Sequence, residues 1–396
     1  MARRFYFRSI MSLFTITAPI TITCHKRLST YLEQEVKALG FVVEERFITG
    51  VRLRGTINDC IRLNLNLRCA SQVLFSLDRF EAQHPDDIYE NLLEIAWEDL
   101  LPGGGYFSVT SNVLHDTINN SMYANLRVKD AIVDRLRQIR GERPETGAEL
   151  KGAVVHLFWK GDEAEIFLDT SGESLGRHGY RKIPGKAPML EALAAATILA
   201  TAWDGKGPFL NPMCGSGTLA IEAALIATQA GPGLFRMNYG FMHLQGYDEA
   251  RYLEERGRLE AQVKEVPGLK IIATDHSEMA ISNARKNALA AGVADIIEFA
   301  VCDFADTPVP EGNGVMMINP EYGERLGDLH ALEATYARIG DFMKSKCQGY
   351  HGYVFTGNME LAKKIGLKAK RRIEFYNATI DCRLLEYELY KGSKAL

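Results

Sequence analysis

The chain has little net charge. Its 46 Lys and Arg face 50 Asp and Glu, a formal balance of −4 at pH 7 over 396 residues. No global basic field draws in a nucleic acid, so any such contact has to come from a local patch. Cysteine is sparse and patternless. The seven, Cys24, Cys60, Cys69, Cys214, Cys302, Cys347 and Cys382, contain no C-x-x-C pair, and no histidine stands at zinc spacing to them. No metal site and no disulfide framework are therefore expected, and the scattered odd count suits reduced thiols in the cytoplasm. No run of about 20 apolar residues occurs, so no membrane-spanning helix is expected. One stretch imitates a leader: IMSLFTITAPITIT follows Arg3, Arg4 and Arg8. It alternates Thr with apolar residues and Pro19 interrupts it, so it reads as a first strand and not as a signal peptide. Met11 is a second plausible start, which makes 1–10 an expected disordered extension. Internal repeats and low-complexity segments are absent from the sequence.

What is present is enough for two or three domains: the length exceeds one ordinary domain, and 46% of residues are hydrophobic. The first 170 residues predict an α+β region. Strand character at 13–23 and 41–56 flanks a helix over 28–40. The segment 60–80 is mixed. A helix over 86–101 precedes a strand at 106–113, a long helix at 122–141 and a hairpin over 154–170 turning at Gly161–Asp162. The second half changes rhythm. A helix at 188–203 is followed by strands at 208–211, 269–274, 297–302 and 314–319, which alternate with helices at 217–230, 277–291 and 328–345. That alternation is the signature of a Rossmann-like α/β fold with a mostly parallel sheet. A strand at 351–357, a helix at 359–366 and alternating runs at 371–380 and 382–391, separated by Asp381, predict a closing antiparallel hairpin. Residues 231–268 stand out as an insertion.

GPFLNPMCGSGTLAIEAALIA reads strand, turn, helix. Gly215 and Gly217 let the backbone turn sharply and approach a ligand, while the helix beginning at Thr218 points its first N–H groups at the same place. Asn211, Cys214, Gly215, Ser216, Gly217 and Thr218 are thus candidate cofactor-binding residues. GSGTLA also fits the dinucleotide pattern, so NAD competes with S-adenosylmethionine at this step. Asp275, closing the second strand, can accept the ribose hydroxyls; the plainer role is to cap the helix starting at Ser277. Asp303 and Phe304, after the third strand, can take an adenine amino group and ring, or be a solvated loop.

The fourth strand runs into Asn319-Pro320-Glu321-Tyr322. Hydride transfer has no use for this segment. Methylation of an exocyclic amine does, because the nitrogen lone pair is delocalised into the base. Two oxygens accepting its N–H bonds, the Asn319 side chain and the Pro320 carbonyl, favour a pyramidal nitrogen whose lone pair points at the methyl. Pro320 fixes φ and holds the pair rigid. Tyr322 can stack on a base rotated out of its helix. Asn-Pro is also an ordinary turn dipeptide; its place directly after the fourth strand favours the catalytic reading of Asn319, Pro320 and Tyr322.

These segments resemble a known family. NPMCGSGTLAIEAA and NPEYGERLG are similar to the THUMP-domain class I RNA methyltransferases, in particular the large-subunit (23S) rRNA guanine-N2 group, whose amino-methylating motif is (N/D)-P-P-(Y/F/W). The likeness extends to NSMYANLRVKDAIVDRL (120–136), SGESLGRHGYRK (171–182) and KAPMLEALAAAT (186–197). It implies a ferredoxin-like segment over 11–60, a THUMP-like RNA-binding domain over 61–170 and a methyltransferase domain over 171–396. It further implies S-adenosylmethionine at Gly215, Gly217, Asp275 and Asp303, the target base at Asn319 to Tyr322, and action on rRNA; a monomer is expected. The sequence departs from the pattern twice: Glu321 replaces the second proline of the motif, and Leu190 stands where a basic residue is expected.

Basic residues cluster three times. Arg127, Lys129, Arg135, Arg137 and Arg140 share one helix; Arg177, His178, Arg181, Lys182 and Lys186 crowd the segment between the two halves beside Tyr180; Lys364, Lys368, Lys370, Arg371 and Arg372 form the third. Phosphate contact is the functional reading, a solvated surface the bland one. The cluster with Arg177, Tyr180, Arg181 and Lys182, together with Lys129, is the RNA-binding expectation. The remaining alternatives are a tRNA guanine-N2 methyltransferase, DNA or protein amino-methylation, and an inactive RNA-binding assembly factor.

Overall fold

The computed structural model describes residues 13–115, 121–184, 189–322 and 329–390. The expected extension at 1–10, Lys186, and the GERLG portion of the 319–327 segment lie outside the described residues. Two compact units emerge. One comprises the described residues within Met1–Cys24, Leu32–Leu175 and Arg236–Arg258; the other those within His25–Tyr31, Gly176–Phe235 and Leu259–Leu396.

The first unit is built on an eight-stranded sheet. Its elements run β1 (Ala18–Thr23), the greater part of α1 (Ser29–Ala38), β2 (Val43–Phe47), β3 (Gly50–Gly55), α2 (Ile57–Asn66), β4 (Gln72–Glu81), α3 (Pro85–Leu93), β5 (Tyr106–Leu114), α4 (Ser121–Arg140), β6 (Glu145–Thr146), β7 (Ala153–Lys160) and β8 (Glu163–Asp169). The strand order is β2-β3-β1-β4-β8-β7-β5-β6. The first four strands and two helices form a β-α-β-β-α-β ferredoxin-like set, and β4 carries the sheet onward by pairing antiparallel with β8. Local chemistry sets the boundaries. Thr56 and Asp59 exchange backbone and side-chain hydrogen bonds at the start of α2, a capping box. The helix expected over 86–101 stops at Leu93, and a 3-10 turn follows at Trp97–Asp99. The buried Trp97 indole donates to the Leu92 carbonyl at 2.7 Å, which redirects the chain.

The second unit contains α5 (Glu191–Leu199), β9 (Phe209–Pro212), α6 (Thr218–Ala227), the end of α7 (Glu249–Ala261), β10 (Ile271–Asp275), α8 (Glu278–Ala290), β11 (Ile297–Val301), β12 (Val315–Ile318), α9 (Leu329–Lys346), β13 (His351–Thr356), α10 (Met359–Lys364), β14 (Arg371–Asn377) and β15 (Ile380–Glu388). The sheet order is β11-β10-β9-β12-β13-β15-β14. Strands β9 to β13 pair in parallel, and β15 and β14 close the sheet antiparallel. This is the expected Rossmann-like α/β arrangement. The hairpin turns at Ala378–Thr379, between Asn377 and Ile380, and Asp381 lies within β15 opposite Tyr376. The turn therefore falls earlier than the sequence suggests, made by Ala378 at φ 53°. Helix α6 is almost entirely buried, its one acid, Glu222, bonded to the buried His178 at 2.8 Å, which makes it a core helix and fixes the turn before it.

Strand order reverses beside β9. The chain moves outward through β10 and β11, then returns to place β12 on the other side. Ligands in such sheets bind in the crevice outside the carboxyl ends at this reversal. Among the described residues no helix is long and apolar enough to cross a membrane.

Candidate functional site

The carboxyl ends of β11, β10, β9 and β12 stand side by side, so their trailing residues share one edge. Strands β9 and β12 pair only at Phe209–Val315 and Leu210–Met316 before separating. At the split the Asn211 side-chain amide donates to the Met317 carbonyl at 3.0 Å. One side chain thus replaces a ladder bond and ties the glycine turn to the strand leading into Asn319.

The turn after β9 is tightly specified. Met213, Gly215 and Gly217 all have positive φ, at 53°, 56° and 84°. A Cβ on Gly217 would lie 2.9 Å from that of Ala284, whereas one on Gly215 would meet nothing within 4 Å. Gly217 is held by packing; Gly215 borders open space. The turn is anchored by Asp275, whose Oδ2 accepts the Gly215 amide at 3.0 Å and whose Oδ1 accepts the Ser277 amide at 3.0 Å. Ser277 itself caps α8, its hydroxyl accepting the Ala280 amide. Asp275 therefore joins two turns, and the capping expected of it belongs to Ser277. The thiol of Cys214 is pushed up by burial, which leaves it an inert packing group.

Asp303 follows β11. Its Oδ1 accepts the Ala305 amide at 2.9 Å and a guanidinium N–H of Arg338 at 2.7 Å. Partial burial opposes its charge, but the Ala305 amide and Arg338 outweigh it and hold the carboxyl below its usual range. The same guanidinium lies 4.8 Å from the centroid of the Phe304 ring. Phe304 is buried against Phe342, so it is core first and offers a ligand at most an edge.

At the end of β12 the Asn319 Oδ1 is buried and has no hydrogen-bond partner among the described residues; the same holds for Asn211 Oδ1. Pro320 is buried and Glu321 exposed. Tyr322 is half-buried. Asn377 donates to its hydroxyl at 2.8 Å and Asn358 to its carbonyl at 3.4 Å. Its ring lies so close to Gly357 that a Cβ there would sit 3.1 Å from it.

The expected RNA-binding residues divide. Arg177 and Lys182 are exposed. Tyr180 is 1% exposed, edge-on to Phe235 at 6.0 Å. Arg181 turns inward, donating to the Met189 carbonyl at 2.6 Å and the Thr218 hydroxyl at 2.8 Å. The structure thus buries Tyr180 and turns the half-buried Arg181 inward, its guanidinium committed to Met189 and Thr218. Lys129 lies 3.9 Å from Asp130. Arg127 pairs with Asp86, Arg135 with Glu98 and Lys364 with Glu333, which is the bland reading of those clusters. His351, Glu386 and Glu388 bring possible metal-ligand atoms within 4.8 Å of one another, but Arg371 and Lys370 already pair with the two carboxylates.

Sequence reasoning missed Arg338, Asn358, Gly357, Asn377 and Asn287. Each acts on a residue far along the chain, and no local spacing signals it.

A parallel sheet with its glycine turn, strand-end acids and Asn-Pro exit at one edge defines a class I methyltransferase, preceded by ferredoxin-like and THUMP regions. Comparison with known proteins agrees. Residues 178–386 match the RMKL-like methyltransferase domain, 19–74 the RlmL ferredoxin-like domain and 82–169 the THUMP domain. The chain belongs to the RMKL-like methyltransferase family. Among its relatives is the ribosomal RNA large subunit methyltransferase K/L of Syntrophotalea carbinolica, 37% identical over 386 residues, which cover 94% of this chain and 54% of that protein. The Allochromatium vinosum protein of the same name is 36% identical, over 92% of this chain and 51% of that one. The chain spans about half the length of these curated relatives. Among solved structures, a Clostridium difficile 630 protein described as a possible methylase is similar with a TM-score of 0.86 at 28% identity, covering 96% of this chain and 100% of that one. SMU.472, described as a putative methyltransferase and complexed with SAH, gives 0.85 at 27%, covering 95% and 99%. A protein of Listeria monocytogenes predicted to be an N6-adenine-specific DNA methylase gives 0.85 at 30%, covering 94% and 97%. Family membership decides between the two cofactors left open by the glycine turn: the domain is built for a methyl donor and not for NAD.

Proposed function

We propose that this chain methylates an exocyclic amino group of an RNA base, the N2 of a guanine in large-subunit rRNA, in the cytoplasm. The observation that carries this reading is the buried, unpartnered Asn319 Oδ1 at the end of β12. A buried acceptor without a donor costs about 1–3 kcal/mol, and an amine N–H is the donor that such a site recovers on binding substrate. The residues fit the donor cofactor too: Gly215 leaves one side of the turn open, and the N-terminus of α6 faces the same edge.

Bound S-adenosylmethionine supplies a methyl group activated by its sulfonium. The chain supplies positioning. Gly215, Ser216 and Gly217 shape the turn beneath the cofactor; Asp275 braces it and keeps lone pairs for ribose hydroxyls; Asp303, one oxygen already held by Arg338, offers the other to the adenine amine. Asn319 Oδ1 and the Pro320 carbonyl accept the two N–H bonds of the target amine and aim its lone pair. Tyr322 stacks on the extruded base. The names of the K/L relatives and the THUMP match support RNA as the substrate; Arg177 and Lys182 are the exposed cations for its phosphates.

Asn319→Ala should bind S-adenosylhomocysteine within about twofold of wild type while losing about 10²–10³-fold in turnover, the scale of removing one positioned polar group. Turnover within about twofold of wild type would remove Asn319 from the mechanism. Nucleoside mass spectrometry of rRNA, tRNA and DNA from a deletion strain identifies the product. Loss of N2-methylguanosine from large-subunit rRNA supports the proposal; loss from tRNA redirects it, and loss of N6-methyladenine from DNA favours the activity ascribed to the Listeria protein. An unchanged profile favours an inactive RNA-binding factor, the reading that Glu321 in the motif supports.

A further inference from the structure

Residues 177–184 form a strap alongside the glycine turn, and one side chain stitches the two together. Asn287 on α8 is 1% exposed. Its Oδ1 accepts the backbone N–H groups of Lys182 and Ile183 at 3.0 and 3.1 Å. Its Nδ2 donates to the Ile183 carbonyl at 3.0 Å and to the Ser216 carbonyl at 3.1 Å. A carboxamide has two donors and two lone pairs, so its capacity is filled by the strap and the glycine turn alone. One turn earlier on α8, Ala284 packs where a Cβ of Gly217 would go. Arg181 adds a second stitch through the Thr218 hydroxyl and the Met189 carbonyl, with its Nε 3.5 Å from Glu191. The strap meanwhile shows Arg177 and Lys182 to solvent.

We propose that Asn287 is a positioning residue that couples the two ligands, so that RNA held on the strap tightens the cofactor site and the cofactor tightens RNA. This rests on the proposed function, from which the RNA and the cofactor are taken. The strap is the shared element. When RNA phosphates engage Arg177 and Lys182, the backbone at 182–183 is fixed. Asn287 is then fixed with it, and through Asn287 the Ser216 carbonyl and the amides opening α6. The strap cannot move without unpairing buried amide groups, which makes stitched and released discrete states. Coupling of this kind is reciprocal and falls in the range of about 5–150-fold.

Titration calorimetry of the full chain with S-adenosylhomocysteine, alone and with protein-free large-subunit rRNA, measures the coupling. Wild type should bind S-adenosylhomocysteine at least about fivefold tighter with RNA present, and RNA should gain by the same factor. Asn287→Asp keeps the acceptors for Lys182 and Ile183 but loses the donors to Ser216 and Ile183; its coupling should fall close to one. Arg181→Lys keeps the charge, loses the two-pronged hold on Thr218 and Met189, and should also lower the coupling. It gives the reading should Asn287→Asp fail to fold. A wild-type coupling near one, with both ligands bound, overturns the coupling and leaves the proposed function standing. Wild-type coupling retained in the folded variants overturns the role of Asn287 and Arg181. Absence of RNA binding overturns both this inference and the proposed function.

Discussion

The two glycines of the proposed cofactor turn carry different physical constraints, although the sequence presents them as one motif. Gly217 combines φ 84° with a forbidden approach to Ala284. Gly217→Ala should therefore cost about 1–3 kcal/mol of stability. Gly215 has positive φ but open space beside it. Gly215→Ala should cost only about 1 kcal/mol yet weaken S-adenosylhomocysteine at least about tenfold, since the methyl enters the ligand side. Thermal melts beside calorimetry separate the cases; equal affinity loss per unit of stability lost would contradict the distinction. His156 offers a second residue-scale test. It is 3% exposed, hydrogen-bonded to Thr110 at 2.8 Å, and burial pushes its imidazole from 6.5 down to about 4. A depressed histidine means that the unfolded chain takes up the proton first, so its contribution is intact above about pH 6.5 and is lost as pH falls towards 4. The stability of wild type minus that of His156→Gln should drop by about 1.4 kcal/mol per pH unit across that window. Asp169, which burial pushes up to about 6, works in the opposite direction. It is present in both proteins and cancels in the difference. A pH-independent difference would show that the imidazole titrates normally in the fold.

At the scale of elements, the β14–β15 hairpin reaches back to the segment proposed to hold the target base. Asn377, at the end of β14, donates to the Tyr322 hydroxyl across 55 residues of sequence. If this bond sets the ring, Tyr322→Phe and Asn377→Ala should each slow single-turnover methylation by about 3–10-fold, the worth of one hydrogen bond. The double variant should be no slower than either single one; multiplicative effects would mean that the two residues act independently. The same contact shows what was legible in the sequence. The alternating second half revealed the parallel sheet because burial on both faces and crossover helices leave strong periodic marks. The strand-end positions of Asn319, Asp275 and Asp303 were legible because those strands could be seen; the roles given to them belong to the proposal. Asn377, Asn358, Arg338 and Asn287 were not, since their roles exist only after strands from distant segments meet at one edge. The hairpin turn was misplaced for a related reason: Ala378 adopts φ 53°, a conformation that alanine does not advertise. The helix ending at Leu93 was overextended because the Trp97 indole bond that diverts the chain is tertiary.

At the scale of the molecule, the insertion at 231–268 is the feature least explained by either half read separately. Its central part, Arg236–Arg258, belongs to the first unit. There Arg236 donates to the carbonyls of Ser171, Glu173 and Ser174. The Phe241 amide bonds the Thr170 carbonyl and the Gln245 amide the Leu100 carbonyl, at 3.0 and 2.8 Å. Tyr239 and Phe241 are fully buried and stacked at 5.0 Å. Gly240 lies against Asp169 so closely that a Cβ would sit 2.1 Å from its carbonyl oxygen. The first unit is thus completed by a segment encoded within the second half of the chain. A fragment ending at residue 175 should lack two core aromatics, each worth about 3–5 kcal/mol when removed from a packed interior. Against a typical domain stability of about 5–15 kcal/mol, that fragment should be largely unfolded or bind a hydrophobic dye. The same fragment with 236–258 joined through a flexible linker should melt cooperatively. In the fused fragment, Phe241→Ala should reverse most of the gain. A fragment ending at 175 that melts as cooperatively and as high as the fused one would show that the insertion decorates the unit without completing it.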